Sequence, residues 1–318
     1  MKILVTGGAG FIGSHFADLI LLDPEYSKIF ESVTILDTLT YASNLKNLNS
    51  VANLKNFNFI RGNICNQNLI KNLIKNFDWV VNFAAETHVD RSLIDPYSFV
   101  NSNIIGLNNI LVEASNNPNV KVLQVSTDEV YGTISHGSWD EQSPLKPRSP
   151  YSASKASGDL LANAFGISFG VDVRITRCSN NFGPRQHSEK MIPTILKSII
   201  AHEQVPIYGD GNNVRDWLYV TDHARGVLQC LIHGESGQTY NIGGGTELSN
   251  LELYDYISSK LKKYSPSHRF VEDRKGHDFR YSISYNKSKD LLGYKPRVSF
   301  ESGLDETIAW YLYNLESS

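Results

Sequence analysis

Cysteine is scarce in this chain, with three in 318 residues: Cys65, Cys178 and Cys230. They are far apart and odd in number, and no CxxC or HExxH spacing occurs, so neither a disulfide framework nor a zinc site has a basis and no metal is expected. Scattered thiols fit a reducing compartment, and the cytoplasm is the expected location. An excess of charge of one sign is also missing. Thirty basic and thirty-three acidic side chains leave a formal charge of -3, which argues against a nucleic-acid or anionic-membrane surface. No run approaches the ~20 apolar residues of a membrane span. The apolar start, MKILVTGGAGFIG, has glycines where a signal peptide needs a continuous centre. What is present is a 41% hydrophobic composition, enough for one large α/β domain or a domain with an appended lobe. The expected partner is a small molecule or another protein.

Lys2 to Thr6 is a short β-branched run ending in glycines, and Ser14 to Leu22 continues with helical spacing of Phe16, Leu19 and Ile20. Similar apolar runs recur at Ser32 to Leu36, Phe57 to Ile60, Trp79 to Phe83, Val120 to Val125 and Val171 to Ile175. Stretches long enough for helices separate them, so the chain reads as α/β with a parallel, doubly wound (Rossmann) sheet. The asparagine- and lysine-rich region 44–76 reads as solvated surface. After Asn180 the texture changes to glycine-rich loops (NFGPRQH, YGDGNNVRD, NIGGGTE) between helical stretches, which predicts a smaller, interleaved C-terminal lobe.

GGAGFIG follows the first strand and opens the first helix, and Gly8, Gly10 and Gly13 satisfy G-x-G-x-x-G with Gly7 before them. In that context the pattern is a dinucleotide fingerprint: the backbone approaches a pyrophosphate, and the helix start supplies donors. The next strand ends in Asp37, placed for an adenosine ribose. A carboxylate there repels a 2′-phosphate and TLTY after it offers no arginine, so NAD is expected over NADP. The spacing to Asp37 exceeds the usual ~20 residues, and 23–28 (DPEYSK) reads as the surface extension responsible. The expected division is an NAD-binding domain over 1–182, with contributions from about 216–243 and 278–285, and a mainly substrate-binding lobe over 183–318.

Tyr151 and Lys155 in YSASK stand one helical turn apart. An ammonium beside a phenol favours the phenolate, a usable base for a sugar hydroxyl. Tyr256-Lys260 and Tyr285-Lys289 share the spacing, but Tyr151 follows Pro150, a helix-start signal, and its helix is lined with small residues. In VSTDEVYG, Thr127, Asp128 and Glu129 directly follow an apolar strand. Two neighbouring carboxyls in an enclosed site can divide into an acid and a base, and Thr127 can hydrogen-bond a sugar oxygen. Side chains alternate along a strand, so both carboxyls can serve one ring only if the backbone turns at Asp128, and a strand end or helix start is predicted there.

TGGAGFIGS, NFAAETHVDRS, STDEVYG, SPYSASKA, RCSNNFGPRQ, YGDGNNVRDWLYVTDH, YNIGGGTELSN and DRKGHDFRY together resemble the extended short-chain dehydrogenase/reductase superfamily, and within it the dTDP-glucose 4,6-dehydratases. The resemblance implies that NAD⁺ oxidises C4 of the glucosyl ring while Tyr151 takes the hydroxyl proton. Glu129 then removes the C5 proton, Asp128 protonates the departing C6 hydroxyl, and the hydride returns to C6. The product implied is dTDP-4-keto-6-deoxyglucose. The NAD contacts it implies are Gly7, Gly10, Phe11, Ile12, Gly13, Asp37, Thr38, Leu39, Thr40, Asn63, Ile64, Phe83, Ala84, Ala85, Glu86, Thr87, Ser102, Tyr151, Lys155 and Asn181. The nucleotide sugar is implied to meet Thr87, Thr127, Asn180, Lys190, Met191, Pro206, Ile207, Tyr208, Arg215, Asn250, Asp273, Arg274, Lys275, Gly276 and His277, with Arg215 and Arg274 clamping the diphosphate. A homodimer through helices that include the one after Ser92 and the one carrying Tyr151 is also implied. Asn63 stands where the family usually has Asp against adenine; its amide oxygen can accept the same hydrogen bond without charge. UDP-glucose or another nucleotide hexose stays open as substrate, because one methyl group is worth only about 1–3 kcal/mol in a pocket. A C4 epimerase has no use for an acid and base at C5 and C6, and a non-catalytic NAD-binding regulator leaves the catalytic set without a purpose.

Overall fold

Seven short runs with little polarity assemble into one parallel sheet. They are β1 (Lys2–Thr6), β2 (Ser32–Asp37), β3 (Phe57–Arg61), β4 (Trp79–Asn82), β5 (Lys121–Thr127), β6 (Val173–Cys178) and, later in the chain, β10 (Thr239–Ile242). Their order is β10-β6-β5-β4-β1-β2-β3, every pair parallel. The structure is a computed structural model that describes residues 1–316. Both faces of the sheet are covered, which is why its central strands β1 and β4 carry near-continuous apolar runs, whereas β3 at the edge sets the polar Asn58 between Phe57 and Phe59. Ile3 and Val5 face a core with the helices Phe11–Leu22 and Val220–His233, and Leu4 faces the opposite core with Gln67–Leu73, Leu107–Ser115 and Pro150–Phe169. The direction of winding reverses between β1 and β4, the crevice at which such sheets bind ligands.

The remaining strands leave this sheet. β7 (Asn180–Phe182) pairs with β9 (Val214–Tyr219), and β9 with antiparallel β11 (Glu247–Ser249); β8 (Val205–Tyr208) pairs with β12 (His268–Val271). Helices Met191–Ile200, Asn250–Lys260 and Phe300–Glu316 close a second core around Phe182, Trp217 and Tyr219. Of the stretch 216–243, residues 220–242 supply a helix and β10 to the large sheet, whereas 216–219 belong to β9 in the small one. Residues 278–285 form no named strand; they make the isolated bridges Val214–Arg280 and Trp139–Ile283 and pack Ile283 against Val130 and Tyr131. Among the described residues no helix is long and apolar enough to cross a membrane.

Several boundaries differ from the sequence expectation for local reasons. The first helix begins at Phe11, because the chain leaves the glycine turn directly into it. β5 runs on through Ser126 and Thr127, paired with Arg177 and Cys178, since ladder hydrogen bonds do not depend on side-chain polarity. The 23–28 extension is a turn, yet Tyr26 within it is buried in the sheet core. The polar stretch 44–76 likewise anchors itself through Leu48, Val51, Ile64, Ile70 and Ile74.

Candidate active site

The turn that carries Asp128 and Glu129 is built at the tip of β5. The strand ends at Thr127, and Asp128–Tyr131 form a 3₁₀ turn capped by Thr127, whose Oγ1 accepts from the Glu129 backbone N–H at 3.3 Å and donates to Asp128 Oδ1 at 3.2 Å. The break predicted at Asp128 is therefore present. Gly132 ends the turn at φ +76, where a Cβ would lie 2.4 Å from the Lys146 carbonyl oxygen. Tyr131, the last residue of the turn, is fixed from behind: its hydroxyl accepts from Arg177 at 2.8 Å and donates to Asn241 at 2.9 Å. Arg177 also donates to Asp159 at 2.8 Å, on the helix that carries Tyr151 and Lys155. This ion pair is fully enclosed, so removing one partner would strand a buried charge.

That helix, Pro150–Phe169, starts with a capping box between Ser149 and Ser152 and with Pro150 in its first turn, the arrangement in which few helix-start donors are left unsatisfied. Tyr151 and Lys155 are both buried, and Lys155 Nζ donates to the Val125 carbonyl at 2.7 Å. The expected lowering of the Tyr151 pKa by Lys155 is not what the chain alone produces. Burial, followed by the negative charge of Glu129, holds Tyr151 well above the ordinary phenol range, and the opposing pull is a hydrogen bond with Thr127. Burial also lowers Lys155, with Asp159 working against it. The other two Tyr-Lys pairs are structural: Tyr256 packs edge-on to Phe300 and Tyr285 to Tyr294.

The two carboxyls are differentiated by their surroundings. Asp128 is pushed well above the usual carboxylate range by burial and then by Glu129 and Asp216, and its Oδ2 has no hydrogen-bond partner. Glu129 is raised by burial too, but Arg215, Lys190 and Arg274 pull it back toward ionisation. A proton is thus retained more readily on Asp128 and a free carboxylate more readily on Glu129.

Glu129 opens into a cavity of about 320 Å³ between the two lobes. Thr87, Asn180, Lys190, Met191, Pro206, Ile207, Tyr208, Arg215 and Asn250 line it, as do Arg274, Gly276 and His277. Asp273 and Lys275 do not; both are exposed, and Asp273 instead receives the backbone N–H of Arg274 at 2.9 Å and sits 2.6 Å from His277 Nδ1. Thr127 lies at the tip of β5 beside Tyr151 rather than in the cavity wall. Arg215 donates to the carbonyls of Val214, Asp278 and Phe279 and stacks on Tyr281 at 4.4 Å, which fixes its fork. Arg274 stacks on Tyr208 at 4.7 Å and lies 3.5 Å from Asp90. His88, Asp90, Glu189 and Tyr281 also line the cavity and escaped the sequence reading. His88 and Asp90 stand in the THVDRS stretch and Tyr281 closes DRKGHDFRY, so the signal was adjacency to residues already singled out.

The dinucleotide crevice lies at the ends of β1, β2 and β4. Gly7 has φ +68, and a Cβ there would fall 2.6 Å from the Ala84 nitrogen; a Cβ on Gly13 would fall 2.5 Å from the Gly7 oxygen. No side chain caps the helix at Gly10, so the turn offers bare backbone with Phe11 and Ile12 beside it. Asp37 accepts from the backbone N–H groups of Ala9 at 3.0 Å and Leu39 at 2.8 Å, and from the Ser43 hydroxyl, which ties Thr38–Thr40 to the glycine turn. Phe83 to Thr87 extend from β4, and Asn103 clamps the Glu86 backbone through its amide. Ser102 lies beside Asn103 in the π-helical turn Asn101–Gly106. Asn63 Oδ1 already accepts from Cys65 N–H at 2.8 Å, leaving one lone pair, and Ile64 is buried beside it. Asn181 spends its amide on Ser179, Cys178 and His223. Bare glycine backbone, a ribose-side carboxylate and a Tyr-Lys pair fit NAD.

A reversed parallel sheet with this glycine turn and this tyrosine and lysine defines an extended short-chain dehydrogenase/reductase. A family model described as GDP-mannose 4,6 dehydratase matches residues 4–307. The dTDP-glucose 4,6-dehydratase of Streptomyces niveus is 48% identical over 314 residues, 99% of this chain and 94% of that one. That of an Actinoplanes species is 50% identical over 315 residues, with 99% and 98% covered. Among solved structures, DesIV (dTDP-glucose 4,6-dehydratase) from Streptomyces venezuelae, crystallised with NAD, superposes with a TM-score of 0.96 at 47% identity, covering 100% of this chain and 98% of that one. The chain belongs to the dTDP-glucose 4,6-dehydratase family.

Proposed function

We propose that this protein dehydrates dTDP-glucose to dTDP-4-keto-6-deoxyglucose with NAD held in the crevice at the end of β1. The observation that carries the reading is the Asp128–Tyr131 turn, which brings two differently surrounded carboxyls, Asp128 and the cavity-lining Glu129, to one strand tip beside Tyr151. Bound NAD supplies the oxidant for C4 and, once reduced, the reductant for C6. Gly7, Gly10 and Gly13 admit its pyrophosphate and Asp37 meets its ribose. Tyr151, hydrogen-bonded to Thr127, takes the proton of the C4 hydroxyl as a phenolate, the form that the positive charge of bound NAD⁺ would favour against the effect of burial. The resulting ketone acidifies the C5 hydrogen; Glu129 removes that proton while Asp128 gives one to the C6 oxygen, which leaves as water. Glu129 then holds a proton to hand back at C5, and the sugar is dehydrated with no net oxidation. Arg215 and Arg274 hold the diphosphate, the stacking of each on a tyrosine keeping its fork oriented.

The direct test supplies dTDP-glucose, UDP-glucose and GDP-mannose to purified protein without added cofactor. Formation of a 4-keto-6-deoxy sugar from dTDP-glucose is expected, with UDP-glucose slower by roughly 10-fold or more. Inversion at C4 with the 6-hydroxyl retained, or stoichiometric accumulation of reduced cofactor in solution, would overturn the reading.

We also propose a cytoplasmic homodimer. Helices Val89–Ile94, Pro96–Val100 and Pro150–Phe169 present the large apolar side chains Ile94 (85% exposed), Tyr97, Leu160, Ile167 (87% exposed) and Phe169 to solvent, residue types that an interface would cover. Sedimentation should give twice the 35.6 kDa chain mass, and Ile167→Glu should shift it toward the monomer. A monomeric wild type refutes the dimer.

A further inference from the structure

Tyr41 follows β2, Glu86 and Arg91 follow β4, and Glu189 precedes the helix Met191–Ile200 in the second lobe, yet the four side chains meet. The Arg91 guanidinium lies 3.7 Å from the centre of the Tyr41 ring, and its Nε donates to Glu189 Oε2 at 2.8 Å. The Tyr41 hydroxyl donates to Glu86 Oε2 at 3.1 Å. His187 packs edge-on to the same ring at 5.4 Å. Sheet order gives this contact its meaning. β1 lies between β2 and β4, so segments leaving those two strands can touch only by crossing the end of β1, where the glycine turn receives a pyrophosphate.

We propose that Tyr41, Glu86, Arg91 and Glu189 form a clasp across the dinucleotide crevice, which holds NAD through successive turnovers. The inference rests on the NAD-binding reading above. A reaction that returns its cofactor to the starting state has no need of exchange, and a closed crevice keeps the reduced form from escaping midway. Both ends of the clasp are rigid, Glu86 through Asn103 and Tyr41 through the loop that Asp37 ties down. Its charged link is water-exposed, with 48% of the Arg91 side chain accessible. Salt therefore weakens that link, while the stacked face of the ring is less affected.

The test measures NAD release from the full-length protein, trapping free NAD with an external dehydrogenase. Wild type should carry NAD through gel filtration, and Arg91→Ala and Tyr41→Ala should each release it about 5- to 20-fold faster. The double variant should be no faster than the quicker single one, because Tyr41 and Arg91 are successive links of one chain and the loss of either opens it. Added salt should speed wild-type release and leave Arg91→Ala almost unchanged. Wild-type release rates in both single variants, with NAD bound, would overturn the clasp and leave the NAD site standing. A wild type that neither carries nor takes up NAD would instead overturn the cofactor reading itself.

Discussion

Glu129→Gln should still allow C4 to be oxidised and should stop the reaction before water leaves. Glutamine keeps the size and the hydrogen-bonding outline of the side chain but cannot take a proton from C5. Loss of a positioned general base costs typically ~10²–10⁴ in rate, and product formation should fall by that amount. Adding dTDP-glucose should nevertheless change the near-ultraviolet absorbance of the bound cofactor, because Tyr151, Thr127 and Lys155 are untouched. Exchange of the C5 hydrogen with deuterated solvent should disappear in the same variant. Dehydration or C5 exchange at the wild-type rate would remove Glu129 from the base role. The surroundings of Glu129 support that role: Arg215, Lys190 and Arg274 counter the effect of burial and keep a carboxylate accessible.

Tyr151→Phe should fail one step earlier. The phenolic oxygen proposed to receive the C4 proton is gone while the ring, buried against Phe99, keeps its packing, so a folded protein with intact NAD content is expected. Neither the cofactor absorbance nor the sugar should change on mixing, and turnover should drop by ~10²–10⁴. The contrast between the two variants separates oxidation from elimination. Oxidation at wild-type speed in Tyr151→Phe would transfer the base role elsewhere.

The glycine turn, Asp37 and the Tyr151 helix were legible because each is a local construction in which the residues that signal it also build it. Asp128 was legible for a different reason: the chemistry demanded a bend that strand periodicity forbids. The assembly of the lobes was not, since β9 and β10 are separated by one helix but join different sheets, a choice made by long-range pairing. DRKGHDFRY shows a further limit. Arg274, Gly276 and His277 face the cavity while Asp273 and Lys275 face water, and adjacency in sequence did not disclose that alternation. Glu189 reaches the site from the second lobe, with neighbours visible only after folding.

The position of the carboxyl pair bears on how such enzymes diversify. Asp128 and Glu129 begin where the last backbone pair of β5, Thr127 with Cys178, has been made. Side chains beyond that point can change without disturbing the ladder, and the oxidising apparatus feels them only through charge, as Tyr151 feels Glu129. A scaffold that activates C4 can therefore acquire or lose elimination by substitutions at two adjacent positions, and new reactions can be sampled on an inherited chassis.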